Sequence, residues 1–249
     1  MTTNMQSQQR TRSRATSVGD LYLTFDMDIE LDIDRLLHNH LSSLEEFEKS
    51  YKHILEIIKG NKDEQVIAME VNEKLKAYIK SVRDKMQNTI INSAKKRKYI
   101  ADYEHAAPLR ETEELISIKS SKYAEQHVVD CIGESDMDSC LHLAAEKGSC
   151  ELVEKILDCF VYYKHRMVNI RDSDGCTPIF SLLGAMEFRQ KQDCRISNDD
   201  RRRMEVLKLM VQKGCLLSNV NNMNQNVFHH LKSQKPHSYR SLLTQEDEA

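Results

Sequence analysis

The sequence predicts an all-α protein, because residues that break helices are scarce and apolar residues recur with helical spacing. Only 7 glycines and 3 prolines occur among the 249 residues, a composition that favours long helices. Over residues 37–58, and again over 71–90, apolar side chains return every three or four positions. This spacing places them on one face of a helix. Amphipathic helices should therefore dominate the fold.

Residues 35–108 are predicted to form a long helical hairpin. The two apolar stripes are Leu37, Leu41, Leu44, Phe47, Tyr51, Ile54 and Ile58, then Val71, Leu75, Tyr78, Val82, Met86 and Ile90. Gly60 and Asn61 separate them, and long amphipathic helices joined by a short turn pack in antiparallel order. The stripes would equally suit a third helix or a second copy of the chain, so a homodimer stays an alternative.

Residues 1–34 form two segments without helical periodicity. Residues 1–24 are rich in Ser, Thr, Gln and Arg and predict a disordered basic tail. Two arginines precede Ser17 at a spacing that basophilic kinases favour, so Ser17 is either a phosphorylation site or part of a solvated tail. Residues 25–34 alternate apolar and acidic side chains. This acidic amphipathic segment is either a linear motif for a partner's sheet edge or groove, or a linker into the next helix.

Four consecutive cations, Lys95, Lys96, Arg97 and Lys98, follow the second stripe. They match a short nuclear-import patch, and they equally suit the negative end of a helix dipole. Beyond them, Pro108 predicts a boundary. A further helix is expected over 111–132, ending at Gly133.

The region 109–235 contains a recurring turn-and-helix pattern. Residues 172–179 read Asp-Ser-Asp-Gly-Cys-Thr-Pro-Ile, and 139–148 read Ser-Cys-Leu-His-Leu-Ala-Ala-Glu-Lys-Gly. A second helical pattern follows each, at 151–157 and 205–215, and a third turn begins at Asn221. These residues resemble the ankyrin repeat, whose unit of about 33 residues is a turn followed by two helices. The resemblance implies a short, irregular ankyrin-like α-solenoid.

The spacing of the units departs from that of the family through insertions. Ser139 to Thr177 spans 38 residues, and Thr177 to Asn226 spans 49. The surplus over about 33 residues falls at 161–167 and at 184–203, where connections are expected. Insertions there lie outside the repeated core and are tolerated. The third unit is expected to stop after one helix near Pro236, leaving a disordered tail over 236–249.

Residues at the turns, helix starts and core positions of these ankyrin-like units have the side chains that such positions need. Gly175 stands where the turn needs a positive φ, and Asn224 is the next-best residue for such a position. Thr177 is expected to cap a helix that starts at Pro178. By resemblance, His142 is the family's buried histidine, bonded to backbone across the turn. The predicted core comprises Leu141, Val153, Ile156, Leu157, Ile179, Leu182, Leu207 and Met210, with the small Ala144 and Ala145 where inner helices meet.

Two further expectations concern the ends and the insertion of this region. Residues 111–132 would serve as a degenerate N-terminal cap, with the helical hairpin packed against it. The insertion at 184–203 carries Arg189, Lys191 and the run 201–203. Either Asn198 or Asp199 caps the following helix and leaves the arginines exposed, or the insertion is a basic loop that meets an acidic partner.

The sequence contains no pattern typical of catalysis, metal binding or cofactor binding. Dinucleotide, phosphate-loop, zinc-protease and nucleophile-elbow motifs are missing, and the seven cysteines form no CxxC pair. The net charge of −3 gives no reason to expect a nucleic-acid or membrane partner. The N-terminus lacks the apolar run of a secretory signal. We therefore expect a soluble, non-enzymatic intracellular protein, cytoplasmic or nuclear, with free thiols.

Protein–protein interaction is the predicted function, since repeat stacks usually bind other proteins. By resemblance, the side chains that project toward a partner are Asp172, Ser173, Asp174, Asn222, Met223, Leu143, Glu146 and Lys147. The chain would then be an adaptor or scaffold that binds through turn tips and the inner-helix face. Two alternatives stay open: a nuclear regulatory protein resembling ankyrin-type inhibitors of transcription factors, and a structural homodimer through the hairpin.

Overall fold

Helices account for most of the chain that the computed structural model describes, namely residues 44–60, 63–96, 106–134, 139–192 and 198–232. They are α1 (Leu44–Lys59), α2 (Glu64–Lys96), α3 (Ala106–Glu134), α4 (Cys140–Lys147), α5 (Cys150–Leu157), α6 (Lys164–Val168), α7 (Pro178–Gln192), α8 (Asn198–Gln212) and α9 (Val227–Lys232). Within these ranges, the only β-type pairing is an isolated bridge between Val220 and Asn226. The predicted all-α class is confirmed for this part of the chain.

Several sequence predictions fall outside the described residues. They concern the tail 1–24 with Ser17, the acidic segment 25–34, the start of the first apolar stripe at Leu37 and Leu41, and the tail 236–249. Arg97 and Lys98 also lie outside, whereas Lys95 and Lys96 are the last residues of α2.

Most described residues of the apolar stripes of α1 and α2 are buried, whereas Tyr78 and Val82 are partly exposed. Phe47, Tyr51, Ile54 and Ile58 are all at most 3% exposed, and the ring of Phe47 stacks on that of Tyr51 at 4.9 Å. On α2 the same holds for Val71, Leu75 and Met86, each at most 4% exposed. At the solvent edge of this pair, Lys85 Nζ lies 2.9 Å from Glu46 Oε1, an exposed ion pair that adds little stability.

The third helix begins earlier and ends later than the sequence predicts. It starts at Ala106, so Pro108 lies in its first turn, and it continues through Gly133 to Glu134. The expected boundary at Pro108 is therefore wrong. A proline in the first turn sacrifices no intrahelical hydrogen bond, since amides there have no partner inside the helix. Helix α3 packs against α2.

Helices α4 and α5, and then α7 and α8, form two successive helix pairs. The first helices of the pairs contact each other, α4 with α7, and so do the second helices, α5 with α8. On the other side of the first pair, α1 contacts α4 and α2 contacts α5. The expectation that residues 111–132 stand next to the first pair as its cap is wrong, because α1 and α2 occupy that position.

The predicted core of these pairs is confirmed. Leu141, Val153, Ile156, Leu157, Ile179, Leu182, Leu207 and Met210 are all at most 2% exposed. Ala144 and Ala145 are fully buried, and their small side chains allow α4 and α7 to approach closely. Good local signals fix the ends of α4: Ser139 caps its start, and Gly148 ends it with φ 73°.

The two insertions are largely helical instead of forming loops. The surplus at 184–203 lengthens α7 to Gln192 and lets α8 start at Asn198, so only residues 193–197 between them are undescribed. Residues 161–167 form a turn and most of the short helix α6. A basic loop at 184–203 is therefore not observed among the described residues, because the arginines that suggested it belong to helices.

Two polar contacts join the first helix to α4. The hydroxyl of Tyr51 accepts a hydrogen bond from the backbone N–H of Cys140, the first residue of α4. At the other end, Lys147 Nζ donates to the carbonyl oxygen of Gly60, 3.3 Å away. The hydroxyl satisfies one of the amides that every helix start leaves unpaired. As for membranes, none of the described helices is long and apolar enough to cross one.

Replacing Tyr51 with Phe should lower the free energy of unfolding by about 1–3 kcal/mol, because the amide of Cys140 would be left buried without an acceptor. The measurement is chemical denaturation of the full chain, with Tyr162→Phe as control since Tyr162 is 47% exposed. Equal stability of the two variants would contradict the capping role of Tyr51.

Candidate functional site

Two turns with the same hydrogen-bond pattern precede α7 and α9. In the first turn, residues 172–176, Asp172 N–H donates to Cys176 O at 2.9 Å and Gly175 N–H donates to Asp172 O at 3.0 Å. The second turn, residues 221–225, repeats these bonds at the equivalent positions, both at 2.9 Å. The two turns are therefore structurally equivalent, 49 residues apart.

The first side chain of each turn holds the turn closed. Asp172 Oδ1 accepts from the backbone N–H groups of Asp174 and Cys176, at 2.9 and 2.8 Å. The amide oxygen of Asn221 accepts from Met223 and Gln225 N–H in the same way, at 3.0 and 2.9 Å. Asp and Asn are interchangeable here, since each has a side-chain oxygen that can accept from the backbone N–H two residues further on.

A left-handed residue completes each turn. Gly175 has φ 74°, and Asn224 has φ 57° and is the only described non-glycine residue with positive φ. The sequence prediction for these two positions is confirmed. Glycine adopts this conformation without cost, and asparagine is the side chain that tolerates it best.

Hydrogen bonds fasten the second turn to the first. Asn222 donates from its backbone N–H to Asp174 O at 2.9 Å, and from its side chain Nδ2 to Ser173 O at 3.0 Å. Arg171 bridges them as well, because its Nε donates to Gly175 O at 3.0 Å and its Nη2 donates to Val220 O. The two tips therefore form one connected surface with a fixed backbone.

Four of the predicted partner-binding residues form the outer side of this surface. Ser173, Asp174, Asn222 and Met223 are exposed, with Met223 at 72%. Asp172 differs, because its side chain is only 12% exposed and its carboxylate is used inside the turn. Its predicted role as a projecting side chain is wrong.

The remaining predicted residues lie on α4. Glu146 and Lys147 are exposed at the C-terminal end of that helix. Leu143 is only 7% exposed, so it belongs to the core and the prediction that it projects toward a partner is wrong. The predicted set therefore divides into exposed turn tips, an exposed helix end and buried structural residues.

His142 links the first helix pair to the second. Its side chain is 1% exposed, and Nε2 lies 2.9 Å from Cys176 O. Its Nδ1 accepts from Ser139 N–H at 3.3 Å, so the proton resides on Nε2, which donates to the carbonyl. The prediction of a buried histidine bonded to backbone across the turn is confirmed.

The contact between Ser139 and His142 at the start of α4 has an equivalent at the start of α9 but not at the start of α7. Asn226 and His229 at the start of α9 bond each other as Ser139 and His142 do, with His229 Nδ1 accepting from Asn226 N–H at 3.1 Å. In the start of α7, Phe180 takes the place of the histidine, and Thr177 Oγ1 is buried with no hydrogen-bond partner within the structure. The prediction that this hydroxyl caps α7 is wrong.

Arg203 contributes to packing in a way that the sequence did not reveal. It is 3% exposed, its Nη2 lies 3.4 Å from Glu146 O, and its side chain covers Gly148. A cation there suits the negative end of α4. Arg201 and Arg202 are exposed as expected. Sequence alone did not distinguish Arg203, because all three arginines stand in one run.

Asn169 is a second structural residue that sequence reasoning missed. Its Nδ2 donates to Gly214 O at 2.9 Å, and its Oδ1 accepts from Leu216 N–H at 2.7 Å. These bonds join the residue that directly follows α6 to the connection after α8. No local pattern marks this asparagine, since both partners are more than 40 residues away in the chain.

Glu125 of α3 holds the turn between α5 and α6. Its carboxylate is 5% exposed and accepts from the backbone N–H of Tyr162 at 2.7 Å. Burial raises the pKa of Glu125, and hydrogen bonds from the backbone of residues 161–163 offset this only in part. A buried acid with raised pKa favours the protonated form.

Cys140, Cys159 and Cys215 are buried free thiols. Burial raises the pKa of Cys140 to about 11 and of Cys159 and Cys215 to about 12, so their nucleophilic thiolate forms are scarce at neutral pH. In the part of the chain that the structure describes, no three His, Cys, Asp or Glu side chains are grouped so that they could hold a metal ion.

Comparison with known proteins assigns no family to this chain. No family model, curated protein or solved structure matches the chain. The interpretation of the two turns therefore depends on their own hydrogen bonds, burial and exposure.

Replacing Gly175 with Ala should lower the free energy of unfolding by at least about 2 kcal/mol. The backbone strain at φ 74° costs about 1–2 kcal/mol, and the new Cβ would stand 2.3 Å from Asn222 Oδ1, which must move. Asn224→Gly is the matched variant, expected to leave stability unchanged or raised, because glycine suits that φ. Thermal and chemical denaturation measure both, and a harmless Gly175→Ala would disprove the close contact between the turns.

The stability conferred by Glu125 should fall as the pH rises above its ordinary pKa of 4.5. With a raised folded-state pKa, the folded chain binds more protons than the unfolded chain in that window, so the free energy of unfolding decreases with pH. Glu125→Gln removes this titration. The difference between wild type and variant, measured by denaturation from pH 4 upward, should therefore decline, and a rising difference would contradict the raised pKa.

Proposed function

We propose that the chain is a protein-interaction adaptor or scaffold whose binding surface is the pair of turn tips. On this proposal residues 139–232 form a short, irregular ankyrin-like stack, and α1 with α2 form a helical hairpin that serves as its first layer. The repeated turns, the shared contacts of successive helix pairs and the buried histidine that joins two of them support this interpretation.

The observation that carries the proposal is the combination of a fixed backbone with outward side chains at the tips. The backbone of residues 172–175 and 221–224 is held by hydrogen bonds within and between the turns. The side chains of Asp174 and Met223 make no use of this network and are exposed. Because the backbone of this surface is already ordered, binding of a partner immobilises few further groups, and the entropic cost of association is reduced.

The hairpin is less suited to a homodimer than to its place beside α4. Its apolar stripes are the surface that two copies would share, but Tyr51, Ile58 and Leu75 are at most 1% exposed within a single chain. Their partners are the other helices of the same chain, so we do not favour the homodimer.

The nuclear alternative depends on the basic run at the end of α2. Lys95 and Lys96 end that helix, and Arg97 and Lys98 lie outside the described residues. An import role for this run stays a prediction, as do the absence of enzymatic activity and the intracellular location. None of them changes the proposed binding surface.

Substituting Asp174→Lys together with Met223→Glu should abolish partner binding without unfolding the chain, because only exposed side chains change. The measurement is affinity capture with the full chain, followed by identification of the bound proteins. The matched control is Glu154→Lys with Met69→Glu, since Glu154 is exposed and Met69 is 64% exposed on α2.

Proteins held by wild type and by the control, but lost from the tip variant, would support the proposal. Identical sets of bound proteins for all three chains would contradict it, provided that circular dichroism shows equal folding. Asp172 is left intact in this design because its carboxylate holds the first turn closed.

A further inference from the structure

The second turn has carbonyl groups equivalent to those by which the first turn holds it. At the contact between the two turns, the carbonyl oxygens of Ser173 and Asp174 accept hydrogen bonds from Asn222. Because the turns share one hydrogen-bond pattern, Asn222 and Met223 occupy in the second turn the places of Ser173 and Asp174 in the first. Their carbonyl oxygens are therefore the acceptors to which a further turn would bind.

A guanidinium donor is missing from the second turn. In the first turn, Arg171 Nε donates to Gly175 O at 3.0 Å. Val220 holds the position equivalent to Arg171, and its apolar side chain has no donor to offer Asn224 O. Within the ranges that the structure describes, no group donates a hydrogen bond to the carbonyl oxygens of residues 222–224. We call these three carbonyl groups the outer edge.

The side chains beside the outer edge are exposed and include an unpaired negative charge. Asn222, Met223 and Asn224 are all exposed, Met223 at 72%. The carboxylate of Asp174 is exposed as well, and it forms no ion pair with another described residue. Carbonyl oxygens near a free carboxylate are complementary to a partner that brings hydrogen-bond donors and a positive charge.

We propose that the partner of the turn tips places a loop containing an arginine on the outer edge. This inference rests on the proposed function and specifies the chemistry of the partner. Backbone N–H groups of the loop donate to the carbonyl oxygens of Asn222 and Met223, as Asn222 itself donates to the first turn. The guanidinium donates to Asn224 O, as Arg171 does to Gly175 O.

Arginine suits the outer edge better than lysine does. Arg171 already donates from Nε and Nη2 to one carbonyl oxygen in each turn. The guanidinium carries its donors in a planar fork, whereas the lysine ammonium is a compact and strongly hydrated point charge. The side chain of Met223 offers apolar surface to the aliphatic stem of the arginine. Both contacts favour arginine in the partner.

The probe for this recognition is the capped peptide Gly-Asn-Arg-Gly, titrated into the isotope-labelled full-length chain and followed by nuclear magnetic resonance. A new hydrogen bond to a carbonyl oxygen shifts the resonance of that carbonyl carbon and of the next amide nitrogen. We expect saturable shifts at residues 222–225. The carbonyl carbons of residues 173 and 174 serve as the internal control, because their oxygens are already bonded to Asn222.

Modified peptides separate the charge from the backbone donor. Citrulline in place of arginine keeps the length and the N–H groups but loses the charge, so binding should weaken about threefold or more. Methylation of the asparagine backbone nitrogen in the peptide removes one donor, and binding should again weaken about threefold. Lysine in place of arginine keeps the charge without the fork and should also bind more weakly than arginine.

The matched chain variants are Asp174→Asn and Glu154→Gln. The first removes the carboxylate near the outer edge and should weaken binding of the arginine peptide about twofold or more. The second removes an exposed carboxylate on α5 and should leave that binding unchanged. Equal effects of the two variants would contradict the attraction of the arginine to Asp174.

A chain without saturable shifts at residues 222–225 would overturn the inference, and so would equal binding of the arginine and citrulline peptides. The competing occupant is a second copy of the chain. Shifts at these residues that grow with the concentration of the chain alone, together with a dimer in light scattering, would assign the outer edge to that copy and overturn the inference as well.

Failure of this inference can be distinguished from failure of the proposed function. Proteins lost from the Asp174→Lys/Met223→Glu variant in the capture experiment, without any shift by the arginine peptide, would leave the adaptor function standing and refute the arginine loop. Identical captured proteins combined with saturable peptide binding would refute the adaptor function, while the preference of the outer edge for arginine would stand.

Discussion

The burial of α4 between its neighbours is the constraint on which the other described helices depend. This helix has eight residues, too few to be stable alone in water, and its first six residues are all at most 7% exposed. Its stability must therefore come from packing against α7, α5 and α1. Ala144 and Ala145 make the close approach feasible, because any larger side chain would separate the helices. The contact of α1 with α4 thus contributes to the burial of the first helix pair.

Polar contacts specify how these apolar surfaces meet. Apolar burial is not directional, so it leaves the relative positions of helices loosely defined. The Tyr51 hydroxyl on the amide of Cys140, and the His142 ring on the carbonyl of Cys176, each join the start of α4 to a different neighbour. Asn169 joins the connections at the other end of the pairs. Each of these groups would lose its partner if a helix shifted by one turn.

On the proposed function, the turn tips suit recognition because they satisfy their own backbone hydrogen bonds. Asp172 and Asn221 satisfy the amides of their own turns, so the turns need no partner to keep their shape. The exposed side chains of Ser173, Asp174 and Met223 take no part in these bonds, and on the proposed function they contact the partner. Loops positioned by a rigid scaffold commonly carry binding residues for this reason.

Features governed by neighbouring residues in the chain were determined by the sequence itself. The helical class, the left-handed positions at Gly175 and Asn224, and the buried stripe of α1 follow from local sterics and from periodicity. The tertiary structure alone decided which side chains face a neighbour more than 30 residues away. It placed Leu143 and Arg203 inside and set α1 and α2 against α4 and α5. Such choices depend on the distance between helices and on the acceptors that a neighbour offers, and neither quantity is encoded in the spacing of residues along one helix.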